Sequence, residues 1–243
     1  MSYESAKLLA EYLLFHYGDD GDILPSAGDP RHDAMRGGLG FPVRTARRFS
    51  PGEVGRALDL GCAVGRSTFE MSRDCRDTTG IDLSRSFISA AETLRRGDVI
   101  SYDRTDDGHI STPLTARRPE GIDPARVRFE TGDAMELRHN LGDFDRVHAA
   151  NLLCRLPDPK RLLARLPALV RPGGELVLAT PATWLEEFTP HHNWPDRPTG
   201  DWLFLHLSPH FELLSSTEET FVIRETARKY QWSSSLVTVW RRI

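Results

Sequence analysis

Apolar positions along this chain switch between two spacings. Over residues 4–17, Glu-Ser-Ala-Lys-Leu-Leu-Ala-Glu-Tyr-Leu-Leu-Phe-His-Tyr, they recur every three to four residues and stop at Gly18, the signature of an amphipathic helix. Residues 18–40 are rich in Asp, Gly and Pro and read as a loop or lid; 41–49 read as a short extended or helical lead into the core. From there, short apolar runs alternate with helical patterns. Strands are predicted near 56–60, 78–81, 127–130, 145–149 and 174–179, and helices near 65–74, 84–96, 134–140 and 159–170. Pro172-Gly173-Gly174 reads as the end of the last helix and the start of the fifth strand. Two β-prone runs, 211–223 and 235–241, predict a closing antiparallel pair. Residues 98–126 exceed an ordinary helix–strand connection, and Asp107-Gly108 between β-prone runs predicts an inserted hairpin, serving as surface decoration, flap or oligomer contact. The alternation defines an α/β fold with a doubly wound, mostly parallel sheet and right-handed crossovers, one domain over residues 1–243.

The candidate chemistry begins where the first strand ends. Ala57-Leu58-Asp59-Leu60-Gly61-Cys62-Ala63-Val64-Gly65-Arg66-Ser67 runs from an apolar strand through a small-residue turn into a helix. Glycines there let the backbone turn sharply and approach a ligand. Gly80-Ile81-Asp82-Leu83-Ser84 is a second strand end, with an acid about twenty residues on, where it can grip a ribose. No phosphate-loop motif is present, and G-x-A-x-G differs from the dinucleotide spacing G-x-G-x-x-G. The pair of signals resembles the class I S-adenosylmethionine (SAM) methyltransferases. That resemblance implies a Rossmann-like, seven-stranded sheet with an antiparallel last strand, and SAM as cofactor with S-adenosylhomocysteine (SAH) as product.

Ligands of open α/β sheets lie at the carboxyl ends of the strands. Gly61, Ala63 and Gly65 then face the methionine part of SAM, Asp82 the ribose hydroxyls, and Leu83 and Phe87 the adenine. Asp133, followed by Ala134, is an acceptor for the adenine amino group, a helix N-cap, or both. Asp59, Arg66, Asn151 and Leu152 complete the expected cofactor set. Asn151 opens toward the methyl group or serves a turn.

Composition narrows the partners. Charged residues make up 27% and hydrophobic ones 39%, with a formal charge of −4, so nucleic acid is an improbable substrate. No run approaches membrane-spanning length. Three cysteines without metal spacing suit a reducing cytoplasm, and Cys62 reads as a small packing residue. His191-His192, His206 and His210 lack a carboxylate pattern for a metal, so no metal site is expected.

A narrower resemblance rests on Glu11-Tyr12-Leu13-Leu14-Phe15-His16-Tyr17-Gly18, Phe41-Pro42-Val43-Arg44, the Ala57–Ser67 turn, Ala150-Asn151-Leu152-Leu153 with Arg155-Leu156-Pro157-Asp158-Pro159, Thr183-Trp184-Leu185-Glu186-Glu187-Phe188-Thr189-Pro190, and Arg224-Glu225-Thr226-Ala227-Arg228-Lys229-Tyr230-Gln231-Trp232. Over nearly the whole chain it is similar to the ovothiol-pathway 4-mercaptohistidine N-methyltransferases, which occur alone or as the C-terminal domain of 5-histidylcysteine sulfoxide synthase. The resemblance implies methylation of an imidazole ring nitrogen of 4-mercaptohistidine, in functional pairing with a separate sulfoxide synthase. Tyr12 and His16 join the expected substrate residues. Arg44, Arg224 and Arg228 are candidate forks for the substrate carboxylate, and Glu186, Glu187 and Glu225 for its ammonium. Trp184, Phe188, Tyr230 and Trp232 are candidates to stack on the ring or border the sulfonium. Each has an ordinary alternative, in surface ion pairs or core packing. Asn151, Glu186 and Tyr17 are the candidates for orienting the ring. Turning the softer sulfur away from the methyl is the demand that such a substrate sets. Other functions compatible with the sequence are methylation of a related small metabolite, the selenium analogue included, and a SAM-binding module without turnover.

Overall fold

A computed structural model of the chain describes residues 5–24 and 28–243. The first predicted helix is α1 (Ala6–Tyr17), capped by the Ser5 hydroxyl, which accepts from Leu8 N at 3.2 Å; residue 4 lies outside the described residues, as do 25–27 of the expected loop or lid. Short helices α2 (Asp20–Ile23) and α3 (Pro30–Met35) follow, and the lead into the core is helical, α4 (Phe41–Ala46).

The alternating core comes next. It comprises β1 (Val54–Leu60), α5 (Arg66–Met71), β2 (Cys75–Asp82), α6 (Arg85–Arg96), a hairpin of β3 (Ile100–Asp107) and β4 (Ile110–Ala116), β5 (Val127–Thr131), β6 (Phe144–Ala150), α7 (Pro159–Leu169) and β7 (Val170–Thr180). The chain closes with α8 (Thr199–Leu207), β8 (Phe211–Arg224) and β9 (Tyr230–Arg242). Seven strands form one sheet in the order β5-β2-β1-β6-β7-β9-β8; the first five run parallel and β9 is antiparallel to both neighbours. Strand order reverses beside β1, so the crevice at its carboxyl end is the natural ligand site.

Three expectations need correction. Residues 134–140 form no α-helix: Glu136 N bonds Asp133 O at 3.0 Å in a single turn, and only a short turn at His139–Leu141 follows. The segment 199–207, to which the sequence pattern assigns no element, forms α8, because Trp202, Leu203 and Leu207 bury together. β7 starts at Val170 rather than after Pro172-Gly173-Gly174; a register shift between Phe144 and Arg146 of β6 absorbs the glycines.

Side chains alternate across the sheet with the two-residue period of a strand. Leu58 and Leu60 of β1, Val147 of β6 and Leu176 and Leu178 of β7 pack with α7 and α8 around Trp202 and Trp240. Ala57, Val177 and Ala179 face the other way, against Phe41 and Ala46 of α4. The hairpin turns at Gly108 (φ +56°) and sets Tyr102 and Ala116 into a cluster with α1 and α6. Among the described residues, no helix is long and apolar enough to cross a membrane.

Trp202 is 2% exposed at the centre of the larger cluster. Trp202→Ala should cost about 3–5 kcal/mol of stability, read as a lowered urea midpoint with unchanged slope.

Candidate functional site

The turn after β1 is built from backbone hydrogen bonds. Gly61 N and Cys62 N both donate to Ile81 O of β2, at 2.8 and 3.1 Å, and Gly65 N donates to Cys62 O at 2.9 Å. Gly61 (φ +68°) and Gly65 (φ +89°) sit in the left-handed region, and a Cβ at Gly65 would lie 2.6 Å from Phe129 Cζ. Ala63 adopts φ +48° despite its methyl group, a conformation that costs about 1–3 kcal/mol in a non-glycine residue. It is held there by Asp82, whose Oδ2 accepts from Ala63 N and whose Oδ1 accepts from Ser84 N, both at 2.9 Å.

This turn forms one wall of a cavity of about 450 Å³. Of the cofactor candidates, Asp59, Gly61, Ala63, Asp82, Leu83, Phe87, Asp133, Ala134, Asn151 and Leu152 line it. Gly65 and Arg66 do not: the glycine frames the turn, and Arg66 reaches Glu70 at 3.3 Å. Asp133 carries out the turn-capping role on Met135 while also lining the cavity. Asn151 stands at φ +55°, and its Oδ1 accepts from Ser235 Oγ at 2.8 Å. Tyr12, Phe15 and His16 of α1 and Phe41 and Pro42 of α4 form the opposite wall; Tyr12 meets Phe87 at 4.7 Å between ring centroids.

Other candidates stand outside this cavity, held by contacts that a sequence does not display. The Tyr17 hydroxyl donates to Val64 O at 2.6 Å, tying α1 to the turn rather than facing a ligand. Arg44 bonds Glu219 at 2.9 Å and Thr220 O at 2.6 Å. Arg224, 4% exposed, clamps β8 to the hairpin through Asp106 at 2.8 Å and to α2 through Asp22 O at 2.9 Å. Arg228 pairs with Asp107 at the surface, 3.2 Å away. Trp184 donates to Thr199 Oγ1 at 3.2 Å and packs edge-on to Trp202, while Tyr230 donates to Ala227 O at 3.3 Å. Trp232, Glu186 and Glu187 are exposed, and Glu225 pairs with Lys229 at 2.6 Å. Phe188 lies under the guanidinium of Arg155, 4.6 Å from ring centre to Cζ. These residues are not brought together around one ligand.

Phe15, Phe41, Pro42, Ser67 and Arg155 line the cavity as motif members to which the sequence alone attaches no role, and Met135 and His148 line it from outside every motif. Among the described residues, Arg155 is the one arginine or lysine lining the cavity. Cys62 lines it too, but burial, with Asp82 and Asp59 nearby, pushes its thiol far up, so it stays protonated. Burial also raises the thiols of Cys75, to about 11, and Cys154. His16 is driven the other way. Burial, and then the positive charge of Arg66, lower its pKa to about 3, so the ring facing the cavity is neutral at physiological pH.

Residues 39–218 of the 243 match the methyltransferase domain family, and the chain belongs to that family. The family is one of methyltransferase domains, for which SAM is the expected methyl donor. It is 28% identical to methyltransferase GfsG of Streptomyces halstedii over 68% of this chain and 49% of that protein. To trans-aconitate 2-methyltransferase of Deinococcus radiodurans it is 31% identical, over 58% of this chain and 44% of that one. The chain thus spans about half the length of the curated relatives it matches. In fold it is similar to N-methyltransferase NodS of Bradyrhizobium japonicum, solved with SAH, at a TM-score of 0.54 and 17% identity over 96% of this chain and 98% of that one. The cavity fits such a donor: a turn held open by left-handed residues, with carboxylates at the ends of β2 and just after β5.

The lowered pKa of His16 makes a pH prediction. In the unfolded chain His16 takes up a proton below about 6.5; in the folded chain it does so only near 3, so stability is lost as pH falls across that window. Replacing it by Gln should flatten the fall between pH 6.5 and 4.5 by at most about 2–3 kcal/mol, measured as the difference between the two proteins in urea unfolding.

Proposed function

We propose that the enzyme transfers the methyl group of SAM to an imidazole ring nitrogen of 4-mercaptohistidine. The observation that carries this reading is that three separated segments of the ovothiol-type resemblance converge on the donor turn. They supply Tyr12, Phe15 and His16 from the first, Phe41 and Pro42 from the second, and Asn151, Leu152, Arg155, Leu156 and Pro157 from the third. A generic donor site needs only the turn and the acids after β2 and β5. The aromatic wall and the rim arginine suit a flat ring carrying an amino-acid tail.

SAM, when bound, supplies a methyl group already activated on a sulfonium. Asp82 would hold the ribose, Asp133 the adenine, and the Gly61–Gly65 turn the amino-acid end. Tyr12, Phe15 and Phe41 would hold the acceptor ring by its faces, and Arg155 would take its carboxylate in place of the arginines spent on internal pairs. Gripping the substrate by ring face and tail fixes which atom points at the methyl group. Such alignment can lower a barrier by roughly 7–11 kcal/mol. It also turns the softer sulfur aside.

Incubation with SAM and 4-mercaptohistidine should give a product methylated on ring nitrogen, identified by mass spectrometry and NMR. A panel including the selenium analogue and other small acceptors sets the specificity; methylation of another acceptor without turnover of 4-mercaptohistidine overturns the reading. Arg155→Ala should raise KM for the amino acid about tenfold or more with kcat little changed, the loss of roughly 1.4 kcal/mol or more of uniform binding. Asp82→Ala should weaken SAH at least about tenfold by calorimetry, since a ribose held by a carboxylate loses a charge-assisted hydrogen bond of roughly 1.5–3 kcal/mol.

A further inference from the structure

Parallel pairing of β1 with β6 puts Asp59 directly beside His148. Both stand on the sheet face opposite Leu58, Leu60 and Val147, and each is 1% exposed. His148 Nδ1 lies 2.8 Å from Asp59 Oδ1, and the other carboxylate oxygen accepts from Thr68 Oγ1 of α5 at 2.6 Å. Against a carboxylate that already accepts from a hydroxyl, Nδ1 is the donor, which leaves the lone pair on Nε2. That nitrogen is buried and has no hydrogen-bond partner among the described residues. A buried polar atom left without a partner destabilises the fold. Yet His148 lines the cavity, as do Phe41, Ser67 and Ala150. Packing alone would be served by an apolar residue here. A carboxylate fixing one nitrogen so that the other presents an open acceptor is the arrangement of a general base.

We propose that His148 is a catalytic residue, the proton acceptor of the methyl transfer; this rests on an imidazole being the methyl acceptor. The N–H of one substrate ring nitrogen donates to His148 Nε2. As the lone pair of the opposite ring nitrogen forms the bond to the methyl carbon, the carbon–sulfur bond breaks with its pair on sulfur. The N–H proton passes to Nε2, and its bonding pair stays in the substrate ring. The product is a neutral N-methylated ring, and the imidazolium of His148 is stabilised by Asp59 until it releases its proton to water. The same hydrogen bond selects the substrate tautomer whose lone pair faces the methyl group.

The test uses the SAH-loaded enzyme labelled with ¹⁵N-histidine. Wild type should show His148 protonated at Nδ1 and bare at Nε2, and 4-mercaptohistidine, in this complex that cannot turn over, should move the Nε2 resonance toward its hydrogen-bonded position. Asp59→Asn, whose amide can donate to Nδ1, should reverse the tautomer. His148→Asn, which keeps a donor for Asp59 but lacks Nε2, should lower kcat about 10²–10⁴-fold while SAH affinity stays within about threefold. Should 4-mercaptohistidine not be a substrate, titration with imidazole reads the same nitrogen, which separates failure of the substrate assignment from failure of the base. The proposal is overturned by an Nε2 that carries the proton in wild type, by a resonance that neither ligand moves, or by a His148→Asn enzyme with wild-type kcat. The tautomer and titration of wild type stand even if a variant does not fold.

Discussion

The site depends on how the end of β1 is pinned to the end of β2. Two consecutive N–H groups, Gly61 and Cys62, share the Ile81 carbonyl, and the next one, Ala63, is taken by the Asp82 side chain. Those three bonds turn the chain through the left-handed region at Gly61, Ala63 and Gly65. The conformational cost at Ala63 is offset by a charge-assisted hydrogen bond, and such bonds are worth more than neutral ones. The same carboxylate that fixes the turn lines the cavity. Turn and cavity wall are therefore one construction, and α1 is fastened to it by the Tyr17 hydroxyl on Val64.

The parallel sheet supplies the second constraint. Because neighbouring strands run in register, residues distant in sequence become side-by-side partners on one face, as Asp59 and His148 do. The apolar face is sealed by α7 and α8 around Trp202. The opposite face, under α4 and α5, tolerates a buried carboxylate because Thr68 and His148 satisfy both of its oxygens.

What the sequence disclosed was whatever local backbone chemistry determines. The strand–turn–helix around Gly61, the acid at Asp82 and the hairpin turn at Gly108 can be read from neighbouring residues alone. Side chains whose partners arrive from far away could not be read. Arg44 and Arg224 looked like ligand forks, but Glu219 and Asp106 claim them from 175 and 118 residues away. His148 carried no motif; its meaning comes from strand register across 89 residues. The stretch 134–140 reads as helical, but Glu136 N bonds Asp133 O at 3.0 Å in a single turn that the backbone does not continue, while Met135 and Leu137 pack against the α7–α8 cluster.

The three thiols give the molecule a property beyond its fold. Every sulfur is buried and its pKa is raised, Cys62 most conspicuously, at the cavity wall. Thiol–disulfide exchange proceeds through the thiolate. A sulfur compound entering the cavity therefore meets, in Cys62, a thiol held protonated rather than a thiolate poised for exchange.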